Sequence, residues 1–444
     1  MFPLRTEQRS HRQTFAISVS REARTRSFNA PAQRVPPMLQ PHRPPRIACL
    51  ATDPLTTRVL MAGQLNFLQQ QGFDVTLIAS PGADLDRAAA REGVRVISVP
   101  MSREIAPLQD WLSLRQLTRV LQDLKPDIVN AGTPKAGLLG MLAATWARVP
   151  IRIYTLRGLR LETSTGPKRL LLTTTERVAA RCAHKVICVS PSLRVAFEKY
   201  RLGTSQQAVV LGGGSSNGVD AARFAPTPAR LSEASAIRQS MGIPEGAQVI
   251  GFVGRLTRDK GVTELLSVFE TLAKEMPHLH LMLVGGFEDG DPLCARLRDE
   301  IWSNPRVHIT GFVNETAAYY SAFDLLVFPS HREGLPNVPL EAAASGHPTA
   351  GFAATGTVDA VLNGQTGTLV SVGDVKGLTD SVRRYLQDPL LLARHGKQAQ
   401  LRVQTEFRRE VIWQELYDLY TGELQARGLP MPQPSSAENA VAAA

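Results

Sequence analysis

Two basic residues in one short loop could bind a phosphate group. The segment 254–261 reads GRLTRDKG, follows an apolar run and precedes residues with helical apolar spacing. Arg255 and Lys260 would lie beside a helix N-terminus, where free N–H groups and the helix dipole also favour an anion. The spacing differs from a Walker P-loop, in which lysine directly follows the second glycine. The loop therefore predicts a phosphate site, and the alternative is an ordinary basic turn.

A second candidate site carries two carboxylates in the segment 333–341, EGLPNVPLE, after another apolar run. Glu333 is expected on the loop at the strand end, and Pro339 fits the first position of a helix because proline has no N–H to satisfy. Glu341 would then lie in the first helical turn, and both carboxylates would face one cleft. Carboxylates accept hydrogen bonds from sugar and ribose hydroxyls. The alternatives are a helix-dipole partner for Glu341 and a solvated loop acid for Glu333.

The elements that position these residues form two series of alternating strands and helices. Apolar runs rich in Val and Ile, bounded by Gly, Pro or polar residues, predict buried strands. They lie at 46–52, 74–80, 94–100, 127–132, 151–157, 185–190 and 208–213, and again at 249–256, 279–286, 307–313, 324–330, 348–352 and 367–370. The segments between them have helical spacing. This alternation predicts the α/β class with two Rossmann-like, doubly wound domains facing a cleft, whose ligands sit beyond the carboxyl ends of the strands.

Changes in composition predict the domain boundaries. Residues 1–45 are rich in Arg and Pro without periodicity, which is typical of disorder; Met38 could be the true start, leaving residues 1–37 untranslated. The full division is a disordered tail over 1–45, an N-terminal Rossmann-like acceptor domain over 46–214, a linker and crossover over 215–248, a C-terminal Rossmann-like donor-binding domain over 249–390, helices over 391–429 that pack back toward the N-terminal domain, and a loose tail over 430–444.

Positive charge is concentrated in one band. The chain has a formal net charge of +10, and residues 131–201 contain thirteen Lys and Arg against three Glu. An anionic partner is expected, and the alternative is a solvated surface. Nucleic acid is disfavoured because the band has no recognised nucleic-acid module and few stacking aromatics. Lys168, Arg169, Arg177 and Arg181 alternate with apolar residues, which predicts an amphipathic helix that docks peripherally on an anionic membrane surface.

Several other classes are disfavoured by composition. No run approaches the roughly 18 apolar residues of a membrane span, and no signal peptide is recognisable. The pair Asp289 and Asp291 could hold Mg²⁺ or Mn²⁺, but Asp-Gly is ordinary turn chemistry, and no metal is expected. Scattered cysteines without CxxC spacing predict neither disulfides nor zinc, which favours a reducing cytoplasm; they are Cys49, Cys182, Cys188 and Cys294.

The two motifs together resemble the family 4 retaining glycosyltransferases of GT-B fold. The resemblance is carried by an Arg and a Lys after one strand, by Glu-x7-Glu after a later strand, and by the phrases FPSHREGLPNVPLEAAASG (328–346) and GSSNGVDAARF (214–224). It extends from about Arg46 to about Glu423. The wording TPKAGLLG (133–140) and YTLRGLRLET (154–163) resembles the branch that builds capsule, exopolysaccharide and O-antigen repeat units.

The resemblance implies roles for individual residues. Arg255 and Lys260 would hold the donor diphosphate and, with Glu333, form the catalytic set. Glu341 would bind the nucleotide ribose, and Glu333 a hydroxyl of the donor sugar. The other implied donor-binding positions are Gly254, Phe312, Val313, Gly334, Leu335, Pro336, Asn337 and Val338. The family further implies no cofactor beyond a nucleotide-sugar co-substrate, expected to be a UDP-sugar, and a lipid-linked (undecaprenyl-diphosphate) glycan acceptor at the inner face of the plasma membrane.

The N-terminal half departs from the family pattern. Many members carry a double-glycine loop after the first strand, where this chain has TDPLTT (52–57), and a His where Arg157 stands. Arginine offers phosphate a bidentate fork, which favours an acceptor with its own phosphate. No nucleophile paired with a base is evident, so front-face substitution is expected. The alternatives are a nucleotide-sugar epimerase or hydrolase of the same fold and a non-catalytic nucleotide-sugar-binding protein.

Overall fold

The computed structural model of the protein describes residues 43–102, 106–288 and 290–433. The predicted disordered tail, 1–45, lies outside these residues except at 43–45, and the predicted loose tail lies outside them from 434 onward. None of the helices in this part of the chain has the length and apolar character needed to cross a membrane.

Seven parallel strands form the first sheet, in the order β3-β2-β1-β4-β5-β6-β7. They are β1 (Arg46–Leu50), β2 (Asp74–Ala79), β3 (Arg95–Ser98), β4 (Ile128–Gly132), β5 (Ile151–Leu156), β6 (Lys185–Cys188) and β7 (Ala208–Val209). The order reverses direction between β1 and β4, which pair in parallel. In such sheets the crevice at the carboxyl end of this reversal is where ligands bind.

Helices cover both faces of this sheet, because parallel strands require crossover connections. They are α1 (Pro54–Leu60), α2 (Gln64–Gln70), α3 (Ala83–Glu92), α4 (Pro107–Leu124), α5 (Pro134–Trp146), α6 (Gly166–Cys182) and α7 (Pro191–Lys199), with a short 3-10 helix (Arg160–Thr163) before α6. Helices α4 to α7 pack in one hydrophobic cluster and α2 and α3 in another, so the sheet has a core on each side.

The second sheet has six parallel strands in the order β10-β9-β8-β11-β12-β13. They are β8 (Gln248–Val253), β9 (Leu279–Val284), β10 (Val307–Ile309), β11 (Leu325–Phe328), β12 (Thr349–Phe352) and β13 (Gly367–Val370). The accompanying helices are α10 (Val262–Glu275), α11 (Ala295–Ser303), α12 (Ala317–Tyr320), α13 (Asn337–Ala344), α14 (Thr357–Ala360) and α15 (Val375–Gln387). The prediction of two doubly wound parallel sheets is confirmed.

The connection between the sheets carries α8 (Ala221–Phe224) and α9 (Pro228–Ser240). It passes close to the C-terminal end of the chain, where the Val219 N–H donates to the carbonyl of Phe407 at 2.7 Å. The C-terminal helices expected over 391–429 are α16 (Pro389–Glu406) and α17 (Arg409–Gln425). The break falls at Phe407 and Arg408, where the chain crosses back beside the connection.

Helix α17 completes the core of the first domain, although it ends the fold in sequence. Leu416, Tyr420 and Leu424 are buried in the same cluster as Leu65 and Phe73. The Tyr420 hydroxyl also accepts a 2.6 Å hydrogen bond from the amide of Asn130 on β4. One face of the N-terminal sheet is therefore covered by residues more than two hundred positions later in the chain.

We expect Leu424→Ala to destabilise the protein by about 2–4 kcal/mol, because it leaves a cavity at a fully buried site. Urea unfolding of the full chain measures the loss. Leu401→Ala on α16 is the matched control, since that leucine is 62% exposed and its truncation should cost less than about 0.5 kcal/mol. Equal losses for the two variants would show that α17 does not stabilise the first domain.

Candidate functional site

Loops after four strands of the second sheet meet at its carboxyl edge. The N–H of Leu256, after β8, donates to the Gly286 carbonyl, after β9, at 2.9 Å. Gly285 forms a bridge with Gly311, which follows β10. The N–H of His331, after β11, donates to the Asp259 carbonyl at 3.0 Å. The basic loop 254–261 therefore lies between its neighbours, as the strand order requires.

The basic loop is held in one conformation. Gly261 has φ 74° and precedes α10; a Cβ there would lie 2.0 Å from the Pro329 carbonyl oxygen. Asp259 accepts from the Thr257 hydroxyl at 2.6 Å and pairs with Arg332 at 3.1 Å. Burial would raise the pKa of Asp259, but the Thr257 hydrogen bond and the nearby cations outweigh it and lower that pKa. The ionised aspartate thus fixes the loop next to the β11 loop.

The two predicted motifs meet in an ion pair. The Lys260 Nζ lies 2.5 Å from the Glu333 Oε1, and the two side chains are 19% and 12% exposed. The same oxygen accepts from the Ser330 hydroxyl at 2.7 Å. Removing one partner of such a pair leaves an uncompensated charge in a poorly hydrated place, which is costly. The motifs that sequence spacing suggested separately are thus one structural unit.

Arg255 extends from the same loop and is more open, with 53% of its side chain exposed. It pairs with Glu288 and lies 3.9 Å from Asp259. Glu288 is a site residue that the sequence reasoning missed. Its signal was its place just after the Gly285-Gly286 end of β9, since loops that follow adjacent parallel strands lie side by side.

The predicted start of α13 is wrong. The helix begins at Asn337 with Pro336 at its N-cap, so Pro339 is the third helical residue and not the first. Proline is tolerated there because the N–H groups of the first turn have no intrahelical partner. Glu341 consequently lies in the second turn rather than the first, directed toward neighbouring α12 instead of the open helix end.

Glu341 is oriented by a tyrosine that the sequence reasoning also missed. The Tyr320 hydroxyl donates to the Glu341 Oε2 at 2.6 Å. Burial raises the pKa of Glu341, and this hydrogen bond opposes the rise. Burial raises the pKa of Tyr320 as well, so the phenol keeps its proton and acts as the donor. Glu333 and Glu341 therefore have different partners.

The glycine after Glu333 is where the two domains touch. The Gly334 carbonyl accepts from the Ser190 hydroxyl at 2.7 Å, and a Cβ on Gly334 would lie 2.2 Å from the Arg157 carbonyl oxygen. A Cβ on Gly356 would lie 2.1 Å from the Gly334 carbonyl oxygen. Leu335 packs against the cores of both domains. The segment that carries the predicted positions Gly334 to Val338 therefore begins at a contact between the two domains.

Other predicted positions have plainer surroundings. Phe312, after β10, is 66% exposed, and Val313 packs against the second-domain core. Asp289 of the weighed metal site lies outside the described residues. Asp291 pairs with Arg258 and accepts from the Asp259 N–H at 2.8 Å, which supports the basic loop. No group of three or more metal-ligating side chains occurs in the described part of the chain.

The first domain offers two arginines at the facing edge. Arg157 follows β5 and donates from Nη1 to the Ser216 hydroxyl on the connection at 2.9 Å. Its Nε is buried without a hydrogen-bond partner in the described part of the chain, and burial lowers the pKa of its guanidinium to about 10. Arg160, in the short 3-10 helix, is exposed. Arg157 is thus partly enclosed by the protein, whereas Arg160 is open to solvent.

Comparison with known proteins matches both domains. The family described as "Glycosyl transferases group 1" matches residues 247–388, and "Glycosyl transferase 4-like domain" matches residues 57–214. The chain is 36% identical over 361 residues to a Staphylococcus aureus protein named capsular polysaccharide biosynthesis glycosyltransferase CapM, covering 81% of this chain and 93% of that protein. It is 26% identical, over 80% of this chain and 91% of the relative, to the Escherichia coli UDP-Gal:alpha-D-GlcNAc-diphosphoundecaprenol alpha-1,3-galactosyltransferase.

Solved structures agree with the fold. Anabaena Alr3699/HepE, solved in complex with UDP-glucose, superposes with a TM-score of 0.72 at 22% identity, covering 85% of this chain and 99% of that chain. Sucrose-phosphate synthase from Thermosynechococcus elongatus gives 0.69 at 21% identity, covering 86% and 100%. At such identities the likeness establishes the GT-B fold.

The contact between His331 and Glu264 generates a pH prediction. His331 Nε2 lies 2.7 Å from the Glu264 Oε1, a hydrogen bond that raises the pKa of His331 and lowers that of Glu264. Because the pKa of His331 is higher in the folded state, protonated His331 stabilises the fold at every pH below its pKa in the unfolded chain. This stabilisation is lost as the pH rises through its pKa in the folded protein. The glutamate stabilises above its own unfolded value. We therefore expect the largest contribution between about pH 4.5 and 6.5.

NMR titration of the histidines checks this. His331 should titrate above its ordinary value, and Glu264→Gln should lower its pKa. His280 is the internal control, because burial lowers its pKa in both proteins. An unchanged His331 titration in Glu264→Gln would contradict the assignment.

Proposed function

This chain is a member of the group 1 glycosyltransferases, and we propose that it transfers a sugar from a UDP-sugar to a lipid-linked glycan with retention of anomeric configuration. The observation that carries the proposal is the Lys260–Glu333 ion pair at the carboxyl edge of the second sheet. In this proposal the Lys260 cation binds the donor diphosphate and the adjacent Glu333 carboxylate binds the donor sugar. The capsular relative from S. aureus supports a cell-surface polysaccharide as the product class.

In this proposal Arg255 and Lys260 bind the donor diphosphate and stabilise it as it leaves. Arg255 exchanges its contact with Glu288 for a phosphate, which its half-exposed side chain can reach. The backbone N–H groups of Leu335, Asn337 and Val338, at the start of α13, add donors at the same place. Preorganised positive charge at the departing group is commonly the largest contribution to catalysis, so this cluster lowers the barrier to bond cleavage.

Retention follows from substitution on one face of the sugar. The bond between the anomeric carbon and the diphosphate oxygen breaks, and the acceptor hydroxyl oxygen bonds to the same face. The acceptor proton passes to the departing diphosphate oxygen. Glu333 is poorly suited to form a covalent intermediate, since its Oε1 already accepts from Lys260 and Ser330. It serves instead to bind a hydroxyl of the donor sugar.

Glu341 binds the ribose of the nucleotide in this scheme. A carboxylate accepts paired hydroxyl hydrogen bonds well, and the Tyr320 contact sets its orientation before the donor arrives. Phe312 and Val313 frame the base from the loop after β10. The two cations take the role that a divalent metal has in other transferases, so we propose that turnover needs no added metal.

The acceptor binds on the first domain, across the cleft. The open Arg160 and the partly enclosed Arg157 favour an acceptor that carries its own phosphates, because guanidinium groups bind phosphate in a bidentate manner. The E. coli relative is named for a diphosphoundecaprenol acceptor, which supports an undecaprenyl-diphosphate-linked glycan here.

We expect Arg255→Ala and Lys260→Ala to lower sugar transfer at least a hundredfold, because the diphosphate loses a preorganised cation as it departs. The assay follows radiolabelled sugar transfer to a lipid-linked acceptor in the presence of EDTA. Arg258→Ala is the matched control: it removes an arginine from the same loop, but one that is 69% exposed and paired with Asp291. Near-normal turnover in Lys260→Ala would refute the site.

Calorimetry with free UDP separates the two carboxylates. Glu341→Ala should weaken UDP binding, whereas Glu333→Ala should leave it nearly unchanged and lower transfer of the intact donor. Donor consumption without acceptor would instead identify an epimerase or hydrolase, and binding without any turnover a non-catalytic nucleotide-sugar-binding protein.

We also propose that the first domain docks on the inner face of the plasma membrane. At the start of α6, Lys168 and Arg169 are exposed beside Leu170 and Leu171, whose exposures are 68% and 46%. Leu172 packs against the core instead, so the helix has one buried and one open side. Basic and apolar side chains on one helix surface are suited to the membrane interface.

Co-sedimentation with liposomes tests the docking. The protein should bind vesicles that contain phosphatidylglycerol, and salt should weaken this binding. Each basic residue near an anionic leaflet contributes about 1 kcal/mol, so Lys168→Glu/Arg169→Glu should weaken it at least tenfold. Lys376→Glu/Lys397→Glu makes the same charge change at exposed positions of the second domain and should have little effect. Equal recovery with neutral and anionic vesicles would refute docking.

A further inference from the structure

A basic groove lies at the opposite end of α6 from the cleft. Helix α6 runs antiparallel to the strands, so its C-terminal end lies at the amino edge of the first sheet. An open groove of about 820 Å³ there is lined by three arginines and their neighbours, namely Arg177, Arg181, Ala183, His184, Arg201, Leu202, Gly203, Thr204, Gln206 and Gln207. Arg177 and Arg181 belong to the amphipathic helix proposed to dock on the membrane, but no role described above uses the groove itself.

The groove arginines differ from those of the second domain in having no acidic partner. Arg177 donates from Nε to the Arg201 carbonyl and from Nη2 to the Tyr200 carbonyl, both at 3.1 Å. Across residues 43–102, 106–288 and 290–433, no carboxylate lies within ion-pair distance of Arg177, Arg181 or Arg201. By contrast, Arg255, Arg258 and Lys260 all have one. The groove therefore keeps an uncompensated positive charge.

The wall of the groove is built by a constrained loop. Arg201 has φ 49°, in the left-handed region that side chains other than glycine rarely adopt. A Cβ on Gly203 would lie 2.6 Å from both the Gln207 Oε1 and the Phe197 ring. The Gln207 amide donates to the carbonyls of Ala180 and Ala183. Arg201 follows the C-terminal end of α7, where a left-handed residue commonly ends a helix, and this conformation presents the arginine to the groove.

The groove continues a stripe along α6. Leu170, Thr174, Arg177 and Arg181 recur at helical spacing, so they share one side of the helix. The stripe starts with the exposed leucines and ends at the groove about 16 Å away. Beside it, Arg169 and Lys199 lie over the Tyr200 ring, 5.6 and 5.8 Å from its centre. An anionic bilayer touching the leucine end would therefore also reach the arginine end.

We propose that this groove binds the phosphate headgroup of an anionic lipid, so that α6 lies along the membrane surface. The inference rests on the membrane docking proposed above and adds a discrete headgroup site to it. Arg181 and Arg201 bind the phosphate, and Arg177, held by two carbonyls, supplies a third charge. Because α6 then lies along the membrane, the distance between the bilayer and the acceptor cleft at the other end of α6 is fixed.

Arg201→Gly tests the site without disturbing the fold, since glycine adopts a positive φ without strain. Arg148→Gly is a matched control: Arg148 is also exposed, has φ 55°, and belongs to the same basic band outside the groove. With vesicles of phosphatidylglycerol and phosphatidylcholine, we expect Arg201→Gly to weaken binding about fivefold and Arg181→Gln/Arg201→Gly more than tenfold. Arg148→Gly should stay within twofold of the wild type.

Inorganic phosphate, compared with chloride at equal ionic strength, should compete for vesicle binding in the wild type and much less in Arg201→Gly. Equal losses in the two glycine variants, or equal effects of phosphate and chloride, would show diffuse attraction and overturn the site, as would no vesicle binding by the wild type. Sugar transfer to a water-soluble acceptor is measured in parallel. Both glycine variants should retain it, and its absence in the wild type would instead refute the proposed function.

Discussion

The contact between the Lys260 ammonium and the Glu333 carboxylate is the interaction on which the binding edge of the second domain depends. Neither charge is well hydrated, so each needs the other in place. That requirement constrains both loops: Gly261 must pass against the Pro329 carbonyl, and Ser330 must share the Glu333 oxygen. Because Gly334 follows Glu333 directly, the same pair also sets where the second domain meets Ser190 of the first. The positions of the Lys260 loop, the Glu333 loop and the Gly334–Ser190 contact between the domains therefore depend on one another.

The two domains treat positive charge differently. In the second domain the cations at the cleft are paired with carboxylates, and a ligand must exchange one partner for another. In the first domain the guanidinium groups of Arg157 and Arg177 donate to a hydroxyl and to backbone carbonyls, and no described carboxylate lies within ion-pair distance of Arg201. A cation that is paired with a carboxylate binds only a ligand whose charges fit its position well enough to replace that carboxylate. An unpaired cation attracts any nearby anion. The division agrees with the two proposals made above, donor binding by the second domain and docking of the first domain on an anionic membrane.

Strand and helix patterns were predictable from sequence because each depends on local periodicity. The predicted strands exist, although the apolar residues that continue into the β8, β9 and β10 loops made them appear too long. The start of α13 was predicted two residues too late, because proline is tolerated at several positions in the first turn of a helix and Pro339 does not mark the first of them. Glu288 and Tyr320 could not be assigned, since their roles depend on which loops and helices become neighbours. No helix-breaking residue marks the break between α16 and α17; the Phe407 carbonyl there accepts from the Val219 N–H, a tertiary contact that local periodicity does not reveal.

The position of α17 has a consequence for how the chain is made. Translation delivers all strands of the first sheet before the second domain begins, yet the face packed by Leu416, Tyr420 and Leu424 stays uncovered until α17 is synthesised. The first domain therefore cannot finish folding as it leaves the ribosome. A fragment that ends after the first sheet would expose that apolar face. Adding the α17 segment as a separate chain would cover it again. Cutting the chain between the two domains therefore does not yield two fragments that each contain a complete core.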